Sequence, residues 1–358
     1  ATTDPLSAGG AIYAKDRIQI SQAYFEENTA LSSGGAIALE PFEVDTFFIT
    51  NTEFVNNSAS ISGGAVQSNA PAVHAVFNSS FRNNSALLGG AVYGNMDSQV
   101  WSNNLFEANH AGLNGGAYYG MNNTTNSVIG NTFTGNYTDS INSTGGAIFQ
   151  NTGEIYLNRS AFRNNQSDSV GGAVVLEQID LAIIGESGFT NNSTSSDGNG
   201  GAIFINGGAM VELNLSQLDS NNANQGGAIY GRNAKLTTSK TTFIGNGSGL
   251  FTNNGGAVFL DNSALTSTEN TNFLGNTAER GGALYSDSLS VFNITSTTFE
   301  ANSASQQGGA IYENQMNGDS LYIETSLFNS NFGSNQFSVG GAVYAEGNNS
   351  LFISESTL

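Results

Sequence analysis

Short alternations of apolar and polar residues run through the whole chain. Ile18/Ile20, Phe47/Ile49, Val211/Leu213 and Leu321/Ile323 each place two apolar side chains two positions apart, the period of a strand with one buried face. Thr238 and Thr268 dilute the pattern in two later segments. A second kind of segment reads Gly-Gly-Ala, then an aliphatic residue, then usually an aromatic one. Gly, Asn and Ser, the residues that turn a chain, lie between these runs. No stretch keeps the 3.6-residue spacing of an amphipathic helix, so the pattern predicts an all-β chain of very short strands.

The segments recur in a fixed order. Gly-Gly-Ala begins at Gly9, Gly34, Gly63, Gly89, Gly115, Gly145, Gly171, Gly200, Gly226, Gly255, Gly281, Gly308 and Gly340, thirteen copies at a mean spacing of about 27.6 residues. A further GGAM at Gly207 is out of phase. The residue after Ala is aliphatic in every copy but one, where it is Tyr118. Ahead of each copy after the first stands Phe-x-x-Asn: Phe25/Asn28, Phe54/Asn57, Phe81/Asn84, Phe106/Asn109, Phe133/Asn136, Phe162/Asn165, and onward to Phe328. Leu218 replaces the Phe once. Two motifs in phase along an entire chain are the mark of stacked repeats.

A unit of this length built from strands fits a parallel β-helix, in which each repeat is one rung and like residues stack at about 4.8 Å. The columns then have physical roles. Stacked phenylalanines fill the coil, each burial contributing roughly 1.5–3 kcal/mol. The asparagine enters turn conformations that β-branched residues resist, and its amide can bond the same amide one rung away. Two residues before the Phe a Ser, Thr or Asn recurs, as at Thr52, Ser79, Ser160 and Thr297. Paired glycines allow backbone approaches that a Cβ would block. The expectation is one continuous solenoid over residues 1–358. Its last residue aligns with the Phe of a further rung, which suits a segment of a longer solenoid with both ends open for self-association end to end.

The composition narrows the function. Nine basic residues against 29 acidic ones leave a formal charge of −20, so phosphate backbones and anionic lipid would be repelled. Neither nucleic-acid binding nor membrane insertion by this segment is expected, and no apolar run approaches the length of a spanning helix. With no cysteine there is no disulfide framework, thiolate metal site or thiol nucleophile. No cofactor is expected.

The paired GGA-[ILV] and FxxN motifs resemble the repeats of the polymorphic outer-membrane proteins first known from chlamydiae, and the likeness extends along nearly the whole chain. Members of that family are surface-exposed adhesins whose passenger is a right-handed β-helix carried by a C-terminal membrane barrel. The resemblance therefore implies a single-stranded, right-handed parallel β-helix of about thirteen rungs, extracellular or at the cell surface, with host-surface receptors as partners.

β-Helices include polysaccharide-degrading enzymes, and glycoside hydrolysis needs two carboxylates about 5–10 Å apart. Asp261 and Asp287 stand at the same place in consecutive repeats, yet their column also holds Asn69, Asn95, Asn151, Asn206 and Asn314, as a polar turn column would. His74 and His110 fall in different columns and form neither a metal site nor a triad. Trp101 occupies a column of Ile20, Ile49 and Val76, which reads as core. Arg82 and Glu107 follow their Phe in adjacent repeats and are placed to pair. No catalytic, cofactor or metal residue is assigned.

Fifteen Asn-x-Ser/Thr sequons occur, a mild excess for a chain so rich in these residues. Asn136, Asn165, Asn192 and Asn246 are ladder positions whose burial would exclude a sugar. Asn122, Asn123, Asn142 and Asn348 lie in variable loops and are the expected acceptors. The sequence thus reads as a non-enzymatic extracellular β-helix, a building block of a surface filament or appendage, with an adhesin passenger as the alternative and a polysaccharide-degrading enzyme behind it.

Overall fold

The computed structural model describes residues 7–40, 45–69, 72–95, 98–247, 254–314, 320–346 and 350–358. Among them every regular element is a short strand and none is a helix. The chain forms two compact units, Ala1–Leu181 and Ala182–Leu358. Each is a parallel β-solenoid, in which a strand pairs with its equivalent one repeat further on, as expected for the fold class.

Each rung contributes three strands in a fixed order. The first sheet takes the segment after Gly-Gly-Ala: seven strands in the first unit, from Ile12–Ala14 to Val174–Glu177, and six in the second, from Ile203–Asn206 to Val343–Ala345. The second sheet takes the alternating segment, such as Ser98–Ser102 and Lys235–Ser239. The third takes the strand centred on Phe, such as Leu105–Glu107 and Thr242–Ile244. A short fourth strand, for example Ser58–Ala59, returns many rungs to the next glycine pair. Registers match motif to motif: Phe54 pairs with Phe81, Phe81 with Phe106, and Tyr230 with Phe259. Leu218 pairs with Phe243 and is fully buried, so it fills the Phe column at the one repeat that lacks the ring.

The columns carry the core. In the first unit, ring centroids from Phe25 to Phe162 follow one another at 4.7–5.0 Å with nearly parallel planes. In the second, Phe243, Phe273, Phe299 and Phe328 stack at 4.6–4.9 Å. Ring pairs at such spacing contribute roughly 0.5–1.5 kcal/mol beyond area burial. The inward positions of the second sheet are occupied by Ile49, Val76, Leu213 and Leu236, all buried. Thr238 is also inward, but its register partner is Ser267. Thr268, expected to share its role, lies beyond Ser267 and is only partly buried.

Most of the described corners turn on residues in the left-handed region. Between the second and third sheets these are Asn51 (φ 49°), Asn78 (49°), Asn103 (56°) and Gly130 (66°) in successive rungs; between the third and fourth they include Asn56, Asn83 and Asn164 at 52–54°. An ordinary L-residue pays about 1–2 kcal/mol there, and Asn and Gly visit it most readily. The first glycine of each pair makes the fourth corner, at φ 61–71°. A Cβ on the second, as at Gly64, would overlap the carbonyl of Gly90 and the backbone of Ser85 one rung on, so the pair is required by geometry at both positions. The extra pair at Gly207 and Gly208 also has positive φ and turns the chain between the first and second sheets.

After the corner that leaves the Phe-centred strand, the next residue is an asparagine that points inward. Asn109 is fully buried. Its backbone N–H and its Nδ2 both donate to Asn136 Oδ1, at 3.0 and 2.9 Å, and its Nδ2 also donates to the Phe81 carbonyl at 2.9 Å. Its own Oδ1 accepts from the N–H and Nδ2 of Asn84, both at 3.0 Å. Both amide donors and both lone pairs are thereby used. The same bonds run from Asn28 to Asn165 in the first unit and from Asn192 to Asn331 in the second. A second ladder follows the other corner, with Thr52, Ser79, Asn104, Asn131 and Ser160 linked through their backbone N–H groups.

Replacing Asn109 with Ala should therefore cost about 3 kcal/mol or more, since the Asn84 N–H and Nδ2 and the Phe81 carbonyl lose buried partners. Asn83→Ala, at an exposed corner, should cost only about 1 kcal/mol. Urea unfolding of the two variants beside the parent chain measures both, and equal losses would contradict the ladder's role.

Candidate functional site

The first sheet in the second unit carries a row of stacked rings, Phe204, Tyr230, Phe259, Tyr285, Tyr312 and Tyr344, with centroids 4.8–5.3 Å apart and all but Tyr344 buried. Asp261 and Asp287 lie beside this row and are register partners on neighbouring strands. Each carboxylate has its own partner: Arg232 Nε lies 3.4 Å from Asp261 Oδ2, and Asn314 Nδ2 donates to Asp287 Oδ1 at 2.8 Å. Burial, and then the Asp287 charge, push the Tyr285 phenol up, and burial followed by Glu346 pushes Tyr312 up to about 12. These phenols stay protonated through any ordinary pH. One carboxylate is thus held by an ion pair and the other by an amide hydrogen bond.

The two histidines lie apart. His74 is buried inside the first unit, its Nε2 3.0 Å from Ser68 Oγ and its ring edge-on to Phe47. His110 Nε2 sits 2.9 Å from Asp139 Oδ1, and its ring stacks on Tyr137. Trp101 is buried between Phe81, Phe106 and Tyr118, with its Nε1 donating to Gln99 Oε1 at 2.8 Å. Around it lies a polar interior that sequence reasoning missed. Asn126 Nδ2 donates to Gln150 Oε1, and Gly94 and Gly120 leave room for the Gln99, Gln150 and Tyr118 ends. The signal was available in the loss of aliphatic residues at Ser68, Gly94, Gly120 and Gln150, where other repeats place Leu39 and Leu176.

The expected glycan acceptors divide. Asn122 and Asn142 are exposed at left-handed corners. Asn123 is corrected: it is 2% exposed and its Nδ2, the atom that would carry a sugar, donates to the Tyr118 hydroxyl inside the coil. It follows the corner at Asn122, and the residue after a corner points inward. Asn348 lies outside the described residues. The ladder sequons Asn136, Asn165, Asn192 and Asn246 are fully buried. Four exposed corner residues that sequence reasoning did not single out, Asn56, Asn78, Asn83 and Asn191, also begin sequons.

A concave site lies in the first unit at the corner of the second and third sheets. It is a groove of about 710 Å³ across four rungs, with the exposed side chains of Asn51, Asn78 and Asn103 on one wall. Glu53, Ser80 and Thr132 also line the groove. Arg82 lies across it, its Nε 3.1 Å from Glu107 Oε2 and its Nη1 3.4 Å from Glu53 Oε2. The anticipated Arg82–Glu107 contact is thus half of a three-residue bridge, partly exposed and worth little stability by itself.

A model of the Chlamydia polymorphic membrane protein repeat matches residues 22–40, 270–287 and 296–312. The chain has polymorphic-membrane-protein-like repeats. The first match spans Phe25, Asn28 and the Gly34 pair, the second Phe273 and the Gly281 pair, and the third Phe299 and the Gly308 pair. They coincide with the third strand, the asparagine ladder and the glycine corner. Neither the curated proteins nor the solved structures yielded a significant match.

Burial lowers the His74 pKa to about 3 from an ordinary 6.5. The unfolded chain binds this proton and the folded one does not, so the neutral ring's contribution is present above pH 6.5. It is lost as the pH falls from 6.5 to 3, by at most about 4–5 kcal/mol. His74→Gln should flatten the loss of urea stability between pH 7 and pH 4, and an unchanged slope would contradict a buried neutral His74.

Proposed function

We propose that this chain is a non-enzymatic structural or adhesive β-solenoid of the cell surface, a building block of a filament or appendage. The observation that carries this reading is the uniformity of the repeat. The same glycine corner, Phe column and asparagine ladder recur along both units. A scaffold whose stability is a nearest-neighbour property of its rungs can be extended by adding copies. It presents long rigid faces rather than one enclosed cavity. A charge of −20 spread over such a surface keeps it soluble and repels like-charged neighbours from the side, which favours growth along the stack.

The matched repeat supports a second reading, the passenger segment of an adhesin carried by a membrane anchor. The two readings share a surface location and differ in what lies beyond the rungs. In either, Asn122 and Asn142 are the acceptors for N-linked sugars when the chain passes through a glycosylating pathway, and host-surface receptors or further copies of the chain are the partners.

Electron microscopy of native, undigested material separates them. Continuous fibres with rungs carried across chain junctions are the expected result, with mass analysis finding sugar on Asn122 or Asn142 and none on Asn123. Isolated rods attached to membrane would favour the adhesin, and compact monomers that cleave an acidic glycan would overturn both.

A further inference from the structure

We propose that the groove along Asn51, Asn78, Asn103 and Gly130 binds a neutral oligosaccharide, laid along the stack with about one sugar per rung. This goes beyond the structural reading, which stands or falls on assembly and not on this groove.

The first argument is spacing. The corner residues repeat once per rung, about 4.8 Å apart, so the groove offers a hydrogen-bonding pattern with the period of the fold. A ligand that uses all of it must be a chain with a comparable repeat, and an extended glycan is one. The second argument is chemistry. Among the described residues the amide ends of Asn51, Asn78 and Asn103 make no hydrogen bond to the protein, whereas the corner amide of Asn122 is engaged with Asn95 and that of Asn262 with Asn233. Each free amide offers a donor and an acceptor side by side, the complement of a sugar hydroxyl, which is also both. The Ser80 and Thr132 side chains and the Glu53 carboxylate also line the groove.

The third argument is charge. Arg82 is the groove's cation, and it is already shared between Glu53 and Glu107. The local balance is negative, in a chain of formal charge −20. A uronate or sulfated glycan would meet repulsion, so the fitting ligand is uncharged. The fourth argument is rigidity. The corner backbone is fixed from inside: Thr52 Oγ1 donates to the Thr50 carbonyl, and Ser79 and Asn104 bond the rungs on either side. Little order remains to be lost when a ligand engages the amides.

The test uses the whole chain made in a host that adds no N-glycan, so that a sugar on the Asn78 sequon cannot fill the groove. Neutral oligosaccharides of two to six sugars and matched oligouronates are titrated by calorimetry. Neutral chains should bind, with affinity rising up to about four sugars and then levelling, and the uronates should bind at least tenfold more weakly. The triple variant Asn51→Gly, Asn78→Gly, Asn103→Gly removes the amides. It keeps the corners, as Gly130 does naturally in the same column. It should lower affinity tenfold or more while urea unfolding remains within the range of the parent. No binding of any neutral chain at millimolar concentration overturns the proposal. So does equal binding of uronates, or affinity retained in a triple variant that folds. Fibres without glycan binding would sink this inference and leave the structural reading intact.

Discussion

The constraint on which the rest depends is that a strand ladder cannot turn a corner unaided. At the corner that leaves the Phe-centred strand, the backbone N–H of the residue after the left-handed one would be buried with no strand partner, at a cost of about 1–3 kcal/mol. The asparagine side chain removes that cost. Its Oδ1 takes the N–H and Nδ2 of the rung on one side, and its Nδ2 reaches both a carbonyl and the next Oδ1. Because each amide is satisfied only by its neighbours, the identity of the residue is enforced repeat by repeat. The Phe column three positions earlier and the glycine corner that follows are placed by the same requirement.

A stack of this kind divides the labour between inside and outside. The interior is almost uniform and supplies stability through stacked rings and neutral amide ladders, with little charge buried. Variation is confined to the outer faces and to a few places inside, where Trp101 and Tyr118 displace aliphatic residues and bring Gln99, Asn126 and Gln150 with them. Function in such a scaffold lies in which outer residues are repeated at the rung spacing. The groove of free corner amides is the clearest instance among the described residues.

The fold was legible because its two motifs keep phase. Phe25/Asn28 through Phe162/Asn165 give the rung length, and the Gly9 to Gly340 pairs give the corners. The stacking of Phe81 on Phe106 and the bonding of Asn109 to Asn136 follow from placing like residues one rung apart. The candidate sites were less legible. Asn122 and Asn123 are adjacent and chemically identical in sequence, yet one turns the corner and the other points into the coil. Only the phase of the corner decides which, and that phase varies where loops vary. The Arg82 bridge was half visible, because Glu53 reaches it from the preceding rung, while the groove depends on a concavity that alternation of residues does not encode.

Amide hydrogen exchange tests the central claim most directly. It reads the corner N–H groups of Asn57, Asn84, Asn109 and Asn136, which have no strand partner and are held only by the side chain of the next rung. The account predicts protection equal to that of Phe81 and Phe106 in the adjoining strands, since both open only when the rung does. Exchange at these four positions as fast as in exposed turns would mean that the side-chain ladder does not hold the corners, and would contradict it.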